Sequence, residues 1–167
     1  MRSLRAAIVA VMLLPAAAMA QKQIPGPAQV AVPAGTAAMD AETKCLALTV
    51  YWEGRTESRL GQEAIAHTVL NRVGSGKFPD TICGVVTESS GPGRGRCQFS
   101  WWCDGKRDEP QYPEFWHEAV AVARAAVQGS SSDPTGGALF FHSTSIKTKW
   151  GRHRQPLVRI GNHIFYR

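Results

Sequence analysis

The residue with the clearest chemical potential is Glu53, in the segment Tyr51-Trp52-Glu53-Gly54. A carboxyl beside two aromatic rings is placed where desolvation disfavours its charged form and raises its pKa. Held protonated, such a group can donate a proton to a glycosidic oxygen. A negative charge near a helix C-terminus opposes the helix dipole, so this position calls for a reason other than local stability. Glu57, four residues on, would share a helix face with Glu53 and is the candidate for a second carboxylate. Against that, Thr56 and Ser58 mark a helix break. An acid just ahead of a new helix also meets that helix's positive end.

Cys45, Cys83, Cys97 and Cys103 form an even set. In an oxidising compartment they predict two disulfides, with three pairings open. Closeness in sequence favours Cys97 with Cys103, leaving Cys45 with Cys83, although geometry rather than spacing decides. A zinc site would need another pattern: there is no Cys-x-x-Cys pair, and the five histidines do not cluster at ligand spacing. No metal and no cofactor are expected. HEAVA from His117 opens like a zinc-protease helix but has Ala121 where the second histidine belongs. GPGRGR from Gly91 lacks the lysine and hydroxyl residue of a phosphate loop.

The elements that must position these residues are legible from spacing. Asp40 is a helix N-cap followed by Cys45, Leu48 and Trp52 at helical intervals as far as Gly54, which puts Glu53 in the last turn. Ser58 caps a second predicted helix, whose stripe Ile65, Ala66, Val69, Leu70 and Val73 stops at Gly74 and Gly76. Pro79 predicts the start of a short third helix through Ile82, Val85 and Val86. Ser89 to Gly95 is then a loop and a candidate substrate rim. Pro113 opens a fourth helix, expected to bury Phe115, Trp116, Ala119, Val120, Ala123 and Val127. From Ala138, the runs ALFFH, PLVRI and HIFYR read as strands, with Gly161-Asn162 as a hairpin turn. Helices first and strands afterwards predict an α+β fold, mainly helical with a small C-terminal antiparallel sheet.

Ahead of that domain, residues 1–20 carry Arg2 and Arg5, an apolar run from Ala6 to Ala18, and the small-residue site Ala18-Met19-Ala20, the layout of a secretory signal peptide. Stable membrane insertion after cleavage is not expected. Residues 21–39 hold three prolines, two glycines and no aromatic side chain, and read as a disordered linker. Residues 40–167 are the size of one domain. Removing two arginines and no acid lowers the formal net charge from +6 to +4. That mild basic excess suits an anionic envelope polymer. Export to the periplasm or cell envelope argues against nucleic acid as a partner, and acids interrupt the arginines between Arg94 and Arg167. Oligomeric state is not encoded in any pattern of this kind.

The segment YWEGRTESRLGQEAIAHTVLNRVGSGKFPDTICGVV resembles the opening of SleB-type cell wall hydrolases, the spore cortex-lytic enzyme family. RCQFSWWCDGK, DPTGGALFFHSTS with Trp150, and IGNHIFYR are similar to that family's later segments, in the same order. The likeness covers about residues 43–167. It implies a lysozyme-like fold of the lytic transglycosylase kind, a peptidoglycan glycan strand as substrate, and Glu53 as the catalytic acid of the family's E-A-R-G-E segment. Here Gly54 stands where alanine is usual and Thr56 where glycine is usual, while both glutamates, Glu53 and Glu57, are kept.

The chemistry that follows needs only one acid. Glu53 would protonate the oxygen between N-acetylmuramic acid and N-acetylglucosamine, then take the proton of the muramic 6-hydroxyl, leaving a 1,6-anhydro end. Phe99, Trp101, Trp102 and Tyr166 are candidates to stack on sugars, and Gln98, Ser100, Asn162 and His163 to hydrogen-bond them. If QFSWW is a strand, Gln98, Ser100 and Trp102 lie on one side, and Phe99 and Trp101 on the other. An N-acetylmuramoyl-L-alanine amidase is the rival enzyme, needing zinc ligands such as His142, His153 and His163 or a free cysteine. A non-catalytic peptidoglycan-binding module is the rival of another class.

Overall fold

α1 (Ala41–Gly54) starts where Asp40, in an extended conformation, accepts the Thr43 amide at 2.8 Å and the Thr43 hydroxyl at 2.7 Å. The computed structural model describes residues 39–91 and 95–167, so the expected signal peptide, nearly all of the linker and part of the Ser89–Gly95 loop fall outside the described residues. Met39, at the linker's end, packs against the main hydrophobic cluster.

α1 is the central helix. Leu46, Ala47, Val50 and Tyr51 are fully buried, and Cys45, Leu48 and Trp52 pack around them partly buried. The apolar surface therefore runs almost all the way round, as a helix covered on several sides requires. It is covered by α2 (Arg59–Gly74), α3 (Ile82–Thr87) and α4 (Pro113–Val127). Tyr51 ties α1 to the approach of α4: its hydroxyl accepts from the Gln111 and Tyr112 amides at 3.0 and 3.2 Å.

α3 begins after Thr81 rather than at Pro79. Thr81 Oγ1 accepts from the Gly84 amide, and Glu42 Oε2 reaches across from α1 to the Ile82 and Cys83 amides at 2.6 and 3.3 Å. These acceptors answer the unpaired donors of a helix start, which proline alone does not supply. The Cys45–Cys83 disulfide locks the same junction. In α4 the buried face is Ala119, Val122, Ala123 and Ala126, while Phe115, Trp116 and Val120 are only partly covered. Val127, expected inside, is 42% exposed, because it follows Ala126 by one residue and so points about 100° away from the buried face.

Three strands follow. β1 (Phe140–Ser143), β2 (Pro156–Ile160) and β3 (His163–Tyr166) form an antiparallel sheet in the order β1-β3-β2. Phe141 faces Phe165 and Ser143 faces His163 in one ladder; Ile160 faces His163 in the other, across the Gly161-Asn162 turn. A second buried cluster of Ala64, Ile65, Ala138, Ile160 and Phe165 fastens the sheet to α2.

QFSWW is not a strand. Ser100–Cys103 is a 3-10 turn, closed by the Trp102 amide donating to the Phe99 carbonyl and by the Cys97–Cys103 disulfide. The inside-outside alternation nevertheless survives, with Phe99 and Trp101 buried and Gln98, Ser100 and Trp102 exposed. A disulfide closed across a sequence separation of 6 is too tight for an extended run but still sends alternate side chains to opposite sides. The described residues are thus mainly helical with one small sheet.

Candidate active site

The last turn of α1 points Glu53 into a cleft of about 400 Å³ between the Cys97–Ser100 segment and β1. Among the described residues, Glu53 is the only carboxylate lining this cleft, and none of the described residues donates a hydrogen bond to it. Burial pushes its carboxyl up from 4.5 to about 7, against the pull of the Arg72 charge. A group with that pKa can hold a proton at neutral pH and also release it.

Arg72 lies beneath the cleft and is 1% exposed. Its Nε donates to the Leu139 carbonyl at 2.7 Å, and its guanidinium lies over Phe78, Phe99 and Phe140. With the Gln98 amide turned oxygen inward, both Arg72 Nη atoms donate to it at 3.2 Å. Burial lowers the guanidinium pKa to about 10, opposed by Glu88 and Glu53. Sequence reasoning passed over Arg72, although one signal was present. It stands three residues after Val69 and seven after Ile65, on the stripe that α2 buries.

Arg72 and its neighbour Asn71 also set the far wall. Asn71 Nδ2 donates to Asp133 at 2.9 Å and to the Ala138 carbonyl at 3.1 Å. Together with the Arg72–Leu139 bond, this holds the chain entering β1, so Phe141, His142 and Ser143 arrive on the cleft.

Gln98, Phe99, Ser100 and His163, four of the expected substrate-binding residues, line the cleft with Glu53. Trp101 and Tyr166 do not. Trp101 is a core residue, 7% exposed and stacked on Trp52. Tyr166 faces an adjoining cavity and shares a 2.9 Å hydrogen bond with His142 Nε2. Trp102 is 43% exposed and outside the lining, as is Asn162. His163 is buried, which lowers its pKa; Glu57 opposes this and His142 adds to it.

Glu57 is not on the cleft. Its side chain, 5% exposed, turns to the β2–β3 hairpin, where it accepts from the Asn162 amide at 3.1 Å and from Asn162 Nδ2 at 3.2 Å. His163 Nδ1 lies 3.5 Å from Glu57 Oε1. Gly161 has φ +54°, and a Cβ there would strike the Glu57 carboxylate, so a glycine is required on two counts.

The Cell Wall Hydrolase family profile matches residues 56–166. The chain belongs to this family. The matched stretch contains every cleft residue named above except Glu53, which lies three positions before it. Among curated relatives, the spore cortex-lytic enzyme of Halalkalibacterium halodurans is 34% identical over 80% of this chain and 36% of its own length. The spore cortex-lytic enzyme of Oceanobacillus iheyensis is 34% identical over 84% of this chain and 46% of its own. The chain thus spans less than half the length of these relatives. It spans solved catalytic domains far more completely. The SleB catalytic domain of Bacillus cereus is 32% identical with TM-score 0.55, covering 75% of this chain and 89% of that domain. The catalytic domain of the germination-specific lytic transglycosylase SleB of Bacillus anthracis is 30% identical with TM-score 0.59, covering 81% and 100%.

Proposed function

We propose that this cell wall hydrolase cleaves the glycan strands of peptidoglycan as a lytic transglycosylase, with Glu53 as general acid and then general base. The observation that carries this reading is that, among the described residues, the cleft holds a single carboxylate, with its pKa raised to about 7 by burial. Hydrolysis by the usual route needs two carboxylates flanking the scissile bond. Transglycosylation needs one. Glu53 gives its proton to the glycosidic oxygen between N-acetylmuramic acid and N-acetylglucosamine as the bond to the anomeric carbon breaks, and the bonding pair leaves with that oxygen. The Glu53 carboxylate then takes the proton of the muramic 6-hydroxyl while its oxygen closes on the anomeric carbon. The products are a new non-reducing end and a 1,6-anhydromuramic end.

Gln98, Ser100 and His163 are the polar groups offered to sugar hydroxyls and acetamido groups, and Phe99 supplies an apolar wall. The substrate lies in the cell envelope, which fits the signal-like segment at residues 1–20. All four cysteines are in disulfides, which leaves no thiol for an amidase nucleophile.

A second reading has one observation in its favour. His163 lines the cleft with Glu57 3.5 Å behind it, a pair that could activate water for hydrolysis. Mass spectrometry of purified peptidoglycan digested with the native protein and with Glu53→Gln separates the readings. Anhydromuramic ends from the native protein alone are expected. Reducing muramic ends would replace the proposal with hydrolysis, free stem peptides with an amidase, and no products from either protein with a binding module.

A further inference from the structure

Next to the cleft of Glu53 lies a cavity of about 530 Å³, within the size range of roughly 300–1,000 Å³ usual for ligand pockets. The two share His142, Ile146 and Thr148, so a substituent on a sugar held in the first can enter the second. The linings differ in character. Among the described residues, the second cavity offers Lys147 and Arg152, no acidic side chain, and the apolar Ile146 and Ile164. Among the described residues, neither Lys147 nor Arg152 has an ion-pair partner.

Its inner wall is ordered. A backbone carbonyl can only accept, so His142 Nδ1 donates to the Ser143 carbonyl at 2.8 Å. In the neutral ring, Nε2 then accepts the Tyr166 hydroxyl proton at 2.9 Å. With the ring in that form the hydroxyl hydrogen points to His142, and the oxygen of this nearly buried tyrosine can accept an amide N–H. Gly151 closes the wall, and a Cβ there would meet Thr148 Oγ1 and His142 Nε2.

Two cations, apolar patches and an amide acceptor together suit a short peptide bearing carboxylates better than a neutral sugar. We infer that this cavity receives the stem-peptide arm of the muramic residue, with Lys147 and Arg152 meeting its carboxylates. The inference rests on the proposed function for which sugar occupies the cleft.

The test compares glycan strands that carry stem peptides with strands stripped of them by an amidase, using the native protein and Lys147→Ala/Arg152→Ala. The native protein should show a kcat/KM roughly three- to ten-fold higher on peptide-bearing strands, the scale of two partly exposed charge pairs. That ratio should fall to about one in the double variant and shrink in added salt. A native ratio already near one, or a ratio the double variant leaves unchanged, overturns the inference. An equal loss on both substrates also overturns it, making the cavity a sugar subsite. If neither strand is cut by the native protein, the proposed function fails, and co-sedimentation with the two kinds of sacculi decides separately. Peptide-dependent retention lost in the double variant upholds the inference, and retention indifferent to peptides or to the two substitutions overturns it.

Discussion

Glu53 and Glu57 lie four residues apart on either side of the end of α1, and their surroundings are opposite. The Glu57 carboxylate is met by the Asn162 amide, the Asn162 side chain and His163, all from the β2–β3 hairpin. It joins the α1–α2 connection to the sheet across more than a hundred residues of sequence, which makes it an organiser of the fold. Glu53 receives no hydrogen bond from the described residues and faces a cleft, with burial raising its pKa. A carboxylate that serves folding has its lone pairs filled. Glu53 has no such partner among the described residues, which leaves it free for the proton transfers proposed above.

The largest expected effect falls on Glu53. Glu53→Gln should reduce glycan cleavage by about 10²- to 10⁴-fold, the usual contribution of a general acid. Its effect on stability should run the other way. Between pH 4.5 and about 7 the folded protein holds more protons on Glu53 than the unfolded chain does. Stability associated with this group is therefore fully present below 4.5 and is lost as pH rises through about 7. The glutamine removes that loss, so the variant should be more stable than the native protein at pH 8 by about 2–3 kcal/mol, with the gap closing at pH 4. Denaturant unfolding at the two pH values measures it. A variant less stable at pH 8 would move Glu53 to the structural side of the comparison.

Glu57→Ala should do the reverse, lowering stability by about 2–3 kcal/mol, because the Asn162 amide and its side chain lose their acceptor. The folded fraction should keep its turnover within a few-fold. Glu57→Gln, which retains one acceptor oxygen, should lose less. If Glu57→Gln instead abolished turnover with the unfolding midpoint unchanged, Glu57 and His163 would be acting on water, and the separation of roles would be gone.

Sequence spacing already separated these roles in part. The helix ends were readable because Asp40 and Ser58 are caps, and Glu53 therefore had to fall in a last turn. The break between the glutamates was readable from Thr56 and Ser58. The partner of Glu57 was not, because a contact spanning 105 residues leaves no local periodicity. Trp101 and Tyr166 look like sugar platforms by type, and only packing reveals that one fills the core and the other faces the neighbouring cavity. QFSWW carries a strand's alternation, but the disulfide that turns it into a tight loop overrides local preference. Arg72 was hidden for a different reason: a charge on an apolar stripe reads as an exception until the carbonyl it serves, Leu139, is brought to it from the chain entering β1.

Arg72 tests whether the acid's state is set from below. Removing the charge with Arg72→Met takes away the one influence that lowers the Glu53 pKa, so the alkaline limb of the pH–rate profile should move to higher pH. The Leu139 carbonyl and Gln98 would also lose their donor, at a cost of about 1–3 kcal/mol. Arg72→Lys keeps the charge and should keep the limb in place while still losing stability. An unmoved limb in Arg72→Met would confine Arg72 to holding β1.

The smallest effect is expected at Asp133, a third acid that should behave as Glu57 does. Desolvation tends to raise its pKa, but the hydrogen bonds from Thr135, Asn71 and Gly137 outweigh this and hold the carboxyl below its ordinary 3.8. A depressed pKa gives stability that is fully present above 3.8 and is lost as pH falls through the lower folded value. Asp133→Asn should therefore cost about 1 kcal/mol at pH 7, allowing for solvent screening at a partly exposed site, and the difference should disappear in acid. Glu53→Gln gains stability as pH rises, whereas Asp133→Asn loses it over the acid range. Unfolding curves of the two variants across pH should thus diverge from the native curve in opposite directions, as expected of one acid desolvated in a cleft and one satisfied by hydrogen bonds of the fold.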